Sequence, residues 1–304
     1  MRAMVTGASG FVGPYLVKEL QENGISSTVL DAAIDITNFD AVKGAVDDFA
    51  TRTKEAKVIF HLAALSHVGT SWNDPLAYLN VNVGGTLNLL RSVESVDRDI
   101  KIVYVSSSEV YGNQSHLDSI DEATSPRPLS PYASSKAAAE TYVLQYGRAF
   151  GLNCVIARPF NHIGPNQSAN FLVSAVAKRI CEARLKGEDE ILVGNLGATR
   201  DFLDVRDVVR AYRLIAVGET SFDTYNISSG IGKRIDEVVQ MLIEIDGGMV
   251  KTKTDPSLMR PVEVMRIVGD SARIRSELGF EPSYTLETTL REVISYWRED
   301  LGFS

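Results

Sequence analysis

Two short segments carry side chains that could move a proton to or from a carbonyl oxygen. The first, SSSEVYG at 106–112, places three serines directly before Glu109. The second, SPYASSK at 130–136, places Tyr132 and Lys136 four residues apart, which puts them on one face of a helix. Because a nearby ammonium favours the phenolate, this spacing predicts that Lys136 lowers the pKa of Tyr132 and prepares it for carbonyl/alcohol chemistry.

A glycine-rich loop near the N-terminus gives this pair a context. The stretch VTGASGFVG at 5–13 reads as a strand, a turn and the start of a helix, with Gly7, Gly10 and Gly13 spaced as G-x-x-G-x-x-G. Glycines there let the backbone approach a pyrophosphate, and the free N–H groups of the helix start face its charge. Turn glycines without a ligand are common, but a loop on the first strand–helix turn predicts dinucleotide binding.

An acid at the end of the second predicted strand bears on which dinucleotide is bound. Asp31 follows Val29 and Leu30, where a carboxylate can bond the adenosine ribose hydroxyls. No Arg or Lys lies between Glu22 and Lys43 that could take up a 2′-phosphate. The sequence thus favours NADH over NADPH, with the capping of a loop by Asp31 as the alternative interpretation.

These segments must be positioned by a scaffold in which strands alternate with helices. The predicted strands are 3–5, 28–30, 57–62, 101–105, 154–157 and 190–193. The predicted helices are 11–22, 38–52, 86–96, 132–150, 170–186 and 207–217, with Asp74 and Pro75 starting a further helical stretch that Gly84 and Gly85 interrupt. The alternation predicts a Rossmann-type α/β fold, a doubly wound parallel sheet with a smaller mixed α/β substrate lobe.

The pattern loosens after Pro159, and this sets the predicted domain division. We assign 1–160, with returning segments near 200–225, to a dinucleotide-binding domain, and 161–199 and 226–304 to the substrate lobe. No linker rich in Pro, Gly or Ser separates the halves. The segment PFNHIGPNQS, which follows the last parallel strand, should lie at the carboxyl edge of the sheet, where ligands bind in such folds.

Composition argues against several classes of partner. The chain has 304 residues, 44% of them hydrophobic, a net charge of −8 and a pI near 5.2, so a broad basic face for nucleic acid or an anionic membrane is not expected. Its two cysteines, Cys154 and Cys181, form neither a disulfide framework nor a metal-ligand spacing. With no secretory pattern and no apolar run of about 18 residues, we expect a cytoplasmic protein without a metal.

The chain resembles the extended short-chain dehydrogenase/reductase family over nearly its whole length. The matching segments, in order, are TGASGFVG, HLAALSHV, NVNVGGT, SSSEVYG, YASSK and ARPFNHIGP. The resemblance implies that Tyr132 is the catalytic acid/base, with Lys136 and Ser107 as the other catalytic residues, and that the helices at 85–96 and 132–150 build a homodimer through a four-helix bundle. The cofactor-binding residues that it implies are Gly7, Gly10, Phe11, Val12, Gly13, Asp31, Asp35, Ile36, Leu62, Ala63, Ala64, Asn82, Tyr132, Lys136 and Pro159.

Four further segments resemble the members of that family that act on GDP-sugars. They are PFNHIGPNQS, GNLGATRDFLDVRDVVRAY, NISSGIGKRI and MRPVEV, and they depart from that group at Asn166, where Gly is more usual. From the residues alone, Arg200 and Arg260 could each bind a diphosphate or form an ion pair with a nearby acid. The substrate-binding residues that the resemblance implies are Ser108, Glu109, Asn161, Asn195, Arg200, Arg260 and Glu263.

The resemblance leaves several reactions open. The first is NAD(P)H-dependent reduction of the C4 keto group of GDP-4-keto-6-deoxy-D-mannose to GDP-D-rhamnose, which the later segments and the chain length favour. The main alternative is a GDP-mannose 4,6-dehydratase, which needs an extra base for C5. Glu109 stands where those dehydratases carry the glutamate of a Thr-Ser-Glu triplet, and here Ser107 and Ser108 precede it. A nucleotide-sugar 4-epimerase and a non-catalytic dinucleotide sensor are further alternatives.

Overall fold

The structure is a computed structural model that describes residues 1–30, 34–52, 54–259 and 264–303. Its strands are β1 Arg2–Thr6, β2 Ser26–Leu30, β3 Lys57–His61, β4 Lys101–Val105, β5 Cys154–Pro159, β6 Asn161–Ile163, β7 Glu190–Val193, β8 Thr199–Asp204, β9 Thr224–Ile227, β10 Gly232–Arg234, β11 Lys251–Thr254 and β12 Arg266–Ile267. Its α-helices are α1 Val12–Glu22, α2 Phe39–Thr51, α3 Val68–Ser71, α4 Pro75–Tyr78, α5 Gly85–Val96, α6 Pro131–Phe150, α7 Leu172–Lys186, α8 Val205–Val217, α9 Ile235–Asp246, α10 Ala272–Leu278 and α11 Leu286–Asp300. A π-helical turn spans Leu79–Gly84, and 3₁₀ turns span Ser108–Tyr111 and Pro256–Leu258.

A six-stranded parallel sheet, in the order β2-β1-β3-β4-β5-β9, forms the centre of the fold. Its inner strands are runs of apolar residues, as is typical of parallel strands that helices cover on both faces. Ala3 and Val5 face the core under α1 and α8, whereas Met4 faces the core under α2, α5 and α6. The sheet confirms the predicted α/β class, and it brings the carboxyl ends of β1, β3, β4 and β5 to one edge.

The chain after β5 is shared between this sheet and a second group of elements. Strand β9 pairs with β5, and α8 packs against α1. The other elements form a small sheet, in which β8 pairs with β6, β10 and β12, and a layer in which α7, α9 and α11 pack around Ile180, Leu242 and Val293. The division into two domains at the boundaries given above stays a prediction.

The glycine pair Gly84 and Gly85 does not interrupt the helical stretch, so that prediction was wrong. Asp74 caps α4 by accepting a hydrogen bond from Ala77 N at 3.0 Å, and the chain then continues through the π-helical turn into α5. A Cβ on Gly85 would lie 2.7 Å from Cγ2 of Ile36. Glycine here allows a close approach between a helix and the segment after β2, and it does not end the helix.

The described residues contain neither a membrane-spanning helix nor a cluster of metal ligands. None of their helices is both long and apolar enough to cross a bilayer, and their His, Cys, Asp and Glu side chains form no group of three or more that could hold a metal. Cys154 and Cys181 are free thiols, and burial raises the pKa of both. Both thiols therefore stay protonated at neutral pH.

Candidate active site

The loop between β1 and α1 lies directly against the loop that follows β3. A Cβ on Gly7, whose φ is +71°, would lie 2.6 Å from Ala63 N, and a Cβ on Gly13 would lie 2.1 Å from Ala8 O. Both distances are too short for a side chain, so glycine is required on this backbone path. Phe11, which precedes α1, offers no side-chain acceptor to the first N–H groups of the helix, and such helix starts can bind an anion.

The other predicted cofactor residues of this region lie along the same edge of the sheet. Leu62 N donates to Thr6 O at 3.2 Å, which continues the contact between β1 and β3 past the last paired residues. The edge therefore presents backbone from the ends of β1, β3 and β5 to one side. The residues placed here are Gly10 in the loop, Val12 at the start of α1, Leu62, Ala63 and Ala64 after β3, and Pro159 at the end of β5.

A buried histidine fixes the two strands that carry these loops. His61 Nδ1 lies 2.7 Å from Thr6 Oγ1, and His61 Nε2 lies 3.0 Å from Thr86 Oγ1. Thr86 donates its own proton to Asn82 O at 2.6 Å, so Nε2–H donates to Thr86 and Thr6 donates to Nδ1. Burial, reinforced by the charge of Lys136, lowers the pKa of His61 to about 3. The ring therefore stays neutral.

This neutral histidine makes the protein sensitive to acid. Because the pKa of His61 is lowered on folding, the unfolded chain binds a proton that the folded chain does not, and stability is lost as pH falls below about 6.5. Between pH 6.5 and pH 5 the loss amounts to about 2 kcal/mol of unfolding free energy. In His61→Gln the unfolding free energy should not show this dependence on pH, because Gln does not titrate. Urea unfolding of both proteins at several pH values measures the difference. Equal slopes would contradict a buried neutral ring.

Asn82 connects the loop after β3 to the start of α6. Its Oδ1 accepts from Leu65 N at 2.8 Å, and its Nδ2 donates to Leu65 O at 3.0 Å and to Ser135 Oγ at 2.8 Å. Ser135 in turn donates to Tyr132 O at 2.7 Å. The buried amide thus holds the first turn of α6 against the loop that follows β3, through Ser135.

Tyr132 lies in the first turn of α6, where helix capping fixes its position. Ser130 Oγ accepts from Ala133 N at 3.1 Å, and Pro131 occupies the first helical position, in which its missing N–H leaves no bond unmade. The Tyr132 ring is buried and meets the Tyr78 ring edge-on, with 6.3 Å between the ring centroids. The phenol is therefore held on a rigid helix start.

The serine segment meets Tyr132 at this edge of the sheet. Ser107 precedes the 3₁₀ turn and caps it, since its Oγ accepts from Glu109 N at 3.2 Å, and Ser108 is buried. Burial raises the pKa of Tyr132 to about 12, while the nearby Ser107 hydroxyl opposes this shift and the charge of Glu109 adds to it. Ser107, Glu109 and Tyr132 therefore lie close together.

Lys136 is buried one turn further along α6. Its Nζ donates to Val105 O at 2.8 Å and lies 5.1 Å from the centroid of the Tyr104 ring. Burial lowers the pKa of Lys136 to about 8, and the carboxylate of Glu140 opposes this shift. The pKa of Tyr132 is therefore raised in this structure, not lowered as the spacing predicts, because burial dominates at the phenol and the Lys136 ammonium is bonded to a main-chain carbonyl.

Asp35 and Ile36 take part in the local structure that follows β2. Asp35 Oδ1 accepts from N and Oγ1 of Thr37 at 2.9 and 2.8 Å, and these bonds lower the pKa of Asp35. The Ile36 side chain is buried against Gly85. Asp31 lies outside the described residues, so the predicted contacts of Asp31, Asp35 and Ile36 with the adenosine stay predictions.

The predicted substrate residues lie mostly in the second group of strands. Asn161 is on β6, which pairs with β8, and Asn195 Oδ1 accepts from the backbone N–H two residues on, at 2.9 Å. Arg200, on β8, is 5% exposed, whereas an arginine that only forms a surface ion pair is usually much more exposed. Arg260 and Glu263 lie outside the described residues.

Asp201, the acid next to Arg200, organises the neighbouring backbone. Its carboxylate accepts from Ser229 N at 2.8 Å, from Gly230 N at 3.0 Å and from Gly269 N at 3.2 Å. Burial raises the pKa of Asp201, and these hydrogen bonds oppose the shift. The carboxylate therefore joins β8 to the loops after β9 and β12.

The loop after β6 holds Asn166 in a backbone conformation that favours glycine. Asn166 has a φ of +66°, in the left-handed region that asparagine tolerates better than most residues. Gln167 donates to His162 O at 2.9 Å, and Tyr15 Oη donates to Pro165 O at 2.9 Å, which ties the loop to α1. The departure at Asn166 is therefore compatible with a tight turn.

A buried ionic network adjoins the site, and none of its members was a predicted site residue. Arg158 donates to both carboxylate oxygens of Glu140 and to Tyr111 Oη, and Tyr111 donates to Asn226. One member could have been found from the sequence, because Glu140 follows Lys136 by four residues and so lies on the same face of the helix. The rest of the network depends on the order of the strands.

Comparison with known proteins identifies relatives over the whole chain. A family profile described as GDP-mannose 4,6 dehydratase matches residues 4–293. The GDP-6-deoxy-D-mannose reductase of Pseudomonas aeruginosa is 35% identical over 302 residues, which cover 97% of either chain. The GDP-6-deoxy-D-talose 4-dehydrogenase of Aggregatibacter actinomycetemcomitans is 32% identical, over 94% of either chain.

Solved structures show the same fold. The structure of RMD from Pseudomonas aeruginosa complexed with NADPH has a TM-score of 0.87 at 33% identity, over 98% of this chain and 99% of that one. The UDP-glucose 4-epimerase of Thermus thermophilus in complex with NAD has a TM-score of 0.86 at 29% identity, with the same coverage. The chain therefore belongs to the GDP-mannose 4,6 dehydratase family of extended short-chain dehydrogenases/reductases.

Proposed function

We propose that the protein is an NAD(P)H-dependent reductase that converts GDP-4-keto-6-deoxy-D-mannose to GDP-D-rhamnose. The observation that carries this proposal is that Ser107 lies close to the buried Tyr132, and that Lys136 follows Tyr132 by one turn of α6. All three lie at the edge of the sheet that also carries the glycine loop. Two relatives support the substrate class, because both names specify a GDP-6-deoxyhexose and one specifies position 4. D-Mannose and D-talose differ only at C4, the carbon that the proposed reaction changes.

The glycine loop fits a dinucleotide. Backbone atoms fill the Cβ positions of Gly7 and Gly13, so the loop has the tight turn and the close helix packing that place a helix start at the pyrophosphate in such folds. When the dinucleotide is bound, its reduced nicotinamide supplies the hydride. We infer a preference for NADH from Asp31 and from the lack of Arg and Lys between Glu22 and Lys43. Since the solved relatives contain NADPH in one case and NAD in the other, the ratio of kcat/KM for NADH and NADPH measures this preference.

Tyr132 is the proposed acid. Its raised pKa, about 12, keeps the phenol protonated at neutral pH, and the proton passes to the C4 oxygen as that oxygen gains negative charge. Ser107 donates a hydrogen bond to the same oxygen. Lys136, with a pKa of about 8, is mostly protonated at neutral pH, and its charge stabilises the phenolate that remains. A positioned general acid of this kind contributes roughly 10²–10⁴-fold to the rate.

The GDP end of the substrate is assigned to the second group of strands. Arg200 and Arg260 are the proposed ligands of the diphosphate, since a guanidinium can bond two phosphate oxygens at once. Asn161, Asn195 and Glu263 are the proposed partners of the nucleoside. The low exposure of Arg200, and the pairing of its strand with the strand of Asn161, support this assignment.

A GDP-mannose 4,6-dehydratase is the second candidate, and the position of Glu109 favours it. That reaction moves a hydride from C4 to the cofactor, removes the C5 proton, expels the C6 hydroxyl as water and returns the hydride to C6. It needs a base at C5, and Glu109 is a carboxylate whose charge acts on Tyr132. Reduction of a C4 ketone makes no such demand on Glu109.

Glu109→Gln separates the two reactions. We expect the variant to keep its reductase turnover within about threefold of wild type, because carbonyl reduction needs no base at C5. In a second experiment, wild type is incubated with GDP-mannose and no added reductant, and no 4-keto-6-deoxy sugar should form. A keto product that wild type forms from GDP-mannose and Glu109→Gln does not would favour the dehydratase. A loss of about 100-fold or more in the reductase turnover of the variant would instead assign Glu109 a part in the reduction.

We also propose a cytoplasmic homodimer, built by α5 and α6 as a four-helix bundle. The two helices pack on each other, and α6 leaves Tyr142 and Phe150 exposed. Beside α5, Leu79, Val83 and Leu87 line a groove of about 540 Å³ that a second copy could cover. The free cysteines suit a reducing compartment. The mass in solution by light scattering should be twice that of the chain.

A further inference from the structure

A buried tyrosine anchors the 3₁₀ turn of the serine segment. Tyr111, the last residue of the turn, has its ring centroid 6.4 Å from that of Phe160 and 4.8 Å from Arg158 Cζ. Tyr111 Oη donates to Asn226 Oδ1 at 2.7 Å and accepts from Arg158 Nη1 at 2.9 Å. One hydroxyl therefore joins the turn to both β5 and β9.

Arg158 continues this connection to the helix of the proposed acid. Its Nε and Nη2 donate to the two carboxylate oxygens of Glu140 at 2.8 and 2.6 Å, and both side chains are almost fully buried. Glu140 follows Lys136 by one turn of α6 and Tyr132 by two, so the three share a face. A buried fork of this kind holds one geometry, because removing either partner leaves an uncompensated charge.

Backbone contacts close the other sides of the turn. Gly112 has a φ of +65°, and a Cβ there would lie 1.8 Å from Arg127 O. Arg127 N donates to Val110 O at 2.9 Å, and Asn226 is itself held by a bond from its Nδ2 to Ile120 O at 2.9 Å. The turn is therefore held by backbone contacts on one side and by the tyrosine hydroxyl on the other.

We propose that Tyr111 is a positioning residue whose hydroxyl sets the distance between Ser107 and Tyr132. It acts through Arg158, which is bonded to Glu140 on the helix that carries the phenol. The inference rests on the proposed reductase, because it requires both hydroxyls to meet the same carbonyl oxygen. A displacement of about 1 Å in such an arrangement costs on the order of 10²-fold in rate.

Glu140 has a second effect, on the charge at Lys136. The groups that face this ammonium from three elements are the Glu140 carboxylate on α6, the Tyr104 ring on β4 and the His61 ring on β3. The Glu140 carboxylate raises the pKa of Lys136 against burial, so neutralising Glu140 lowers that pKa below about 8. The alkaline limb of the pH profile of kcat, where the ammonium is lost, then moves to lower pH.

Tyr111→Phe tests the proposal, because it keeps the ring and removes the hydroxyl. We expect kcat to fall about 10- to 100-fold while the KM for the dinucleotide stays within about twofold. The matched control is Tyr225→Phe, which removes the hydroxyl of a buried β9 tyrosine that bonds to Glu277. This control should keep the kcat of wild type. Hydrogen exchange of the backbone amides at 107–112 detects a displacement of the turn independently of the enzymatic assay. The exchange rate should rise in Tyr111→Phe and stay at the wild-type value in Tyr225→Phe.

Glu140→Gln tests the effect on charge, with Asp246→Asn as its control. Asp246 is a buried carboxylate at the end of α9 that Arg298 holds at 2.7 Å. We expect the alkaline limb to move in Glu140→Gln alone. The positioning role is overturned if Tyr111→Phe equals Tyr225→Phe in both kcat and amide exchange. If wild type reduces a different nucleotide sugar, the proposed substrate fails, and the same ratios measured on that sugar still decide the role of Tyr111.

Discussion

Tyr132→Phe is expected to lower kcat by about 10²–10⁴-fold, with the affinity for the dinucleotide within about twofold of wild type. The phenol is the proposed source of the proton for the C4 oxygen, and Phe keeps the ring that packs edge-on against Tyr78. The first turn of α6 should be unchanged, because Ser130 and Pro131 make its cap. Loss of NAD(P)H absorbance in a single turnover measures the chemistry, and quenching of protein fluorescence measures binding.

Tyr78→Phe is the matched control for this variant. Tyr78 lies against Tyr132, but its hydroxyl donates to His67 O at 2.6 Å, in the loop after β3. We expect it to keep most of its turnover. Full activity of Tyr132→Phe would remove the phenol from the mechanism, and equal losses in both variants would assign the effect to ring packing instead of proton transfer.

Gly7→Ala is expected to weaken dinucleotide binding by at least about 10-fold, or about 1.4 kcal/mol. The new Cβ would lie 2.6 Å from Ala63 N, so the loop must move away from β3 and from the position that receives the pyrophosphate. The positive φ of +71° adds backbone strain of about 1–2 kcal/mol, which any residue with a Cβ meets in that region. Calorimetric titration with the dinucleotide, beside thermal unfolding, separates loss of affinity from loss of stability.

Gly24→Ala controls for the strain alone. Gly24 has the same φ of +71°, follows α1 and has nothing within 4 Å of its Cβ position. This variant should lose stability to a similar degree and bind the dinucleotide as wild type does. If both variants bind equally well, the close approach between Gly7 and Ala63 has no part in binding.

The features that depend on neighbours in the chain were the predictable ones. The parallel sheet follows from apolar runs that alternate with helical segments, and the shared face of Tyr132 and Lys136 follows from their spacing. The pKa of Tyr132 depends on groups that the fold brings from elsewhere, namely the Tyr78 ring and the serine segment. The spacing alone therefore predicted the wrong direction for that pKa.

The hydrogen bonds around Tyr111 could not be predicted from the sequence either, because they join residues that are far apart in the chain. Its bonds to Arg158 and Asn226 span 47 and 115 residues, and no local pattern links positions so far apart. The sheet order, in which β5 lies between β4 and β9, brings them together. Gly85 is a similar case, because the packing of Ile36 against it becomes visible only once β2 and α5 are placed.

Transfer of deuterium from the nicotinamide to C4 of the sugar tests the proposed reduction most directly. The protein is incubated with GDP-4-keto-6-deoxy-D-mannose and with NAD(P)H that carries deuterium at both hydrogens of its nicotinamide C4, and the product is examined by NMR. We expect GDP-D-rhamnose with one deuterium at the C4 of its sugar, and one NAD(P)H oxidised for each product formed. A product without deuterium at that carbon, or conversion of GDP-mannose to its 4-keto-6-deoxy form without added reductant, would contradict it.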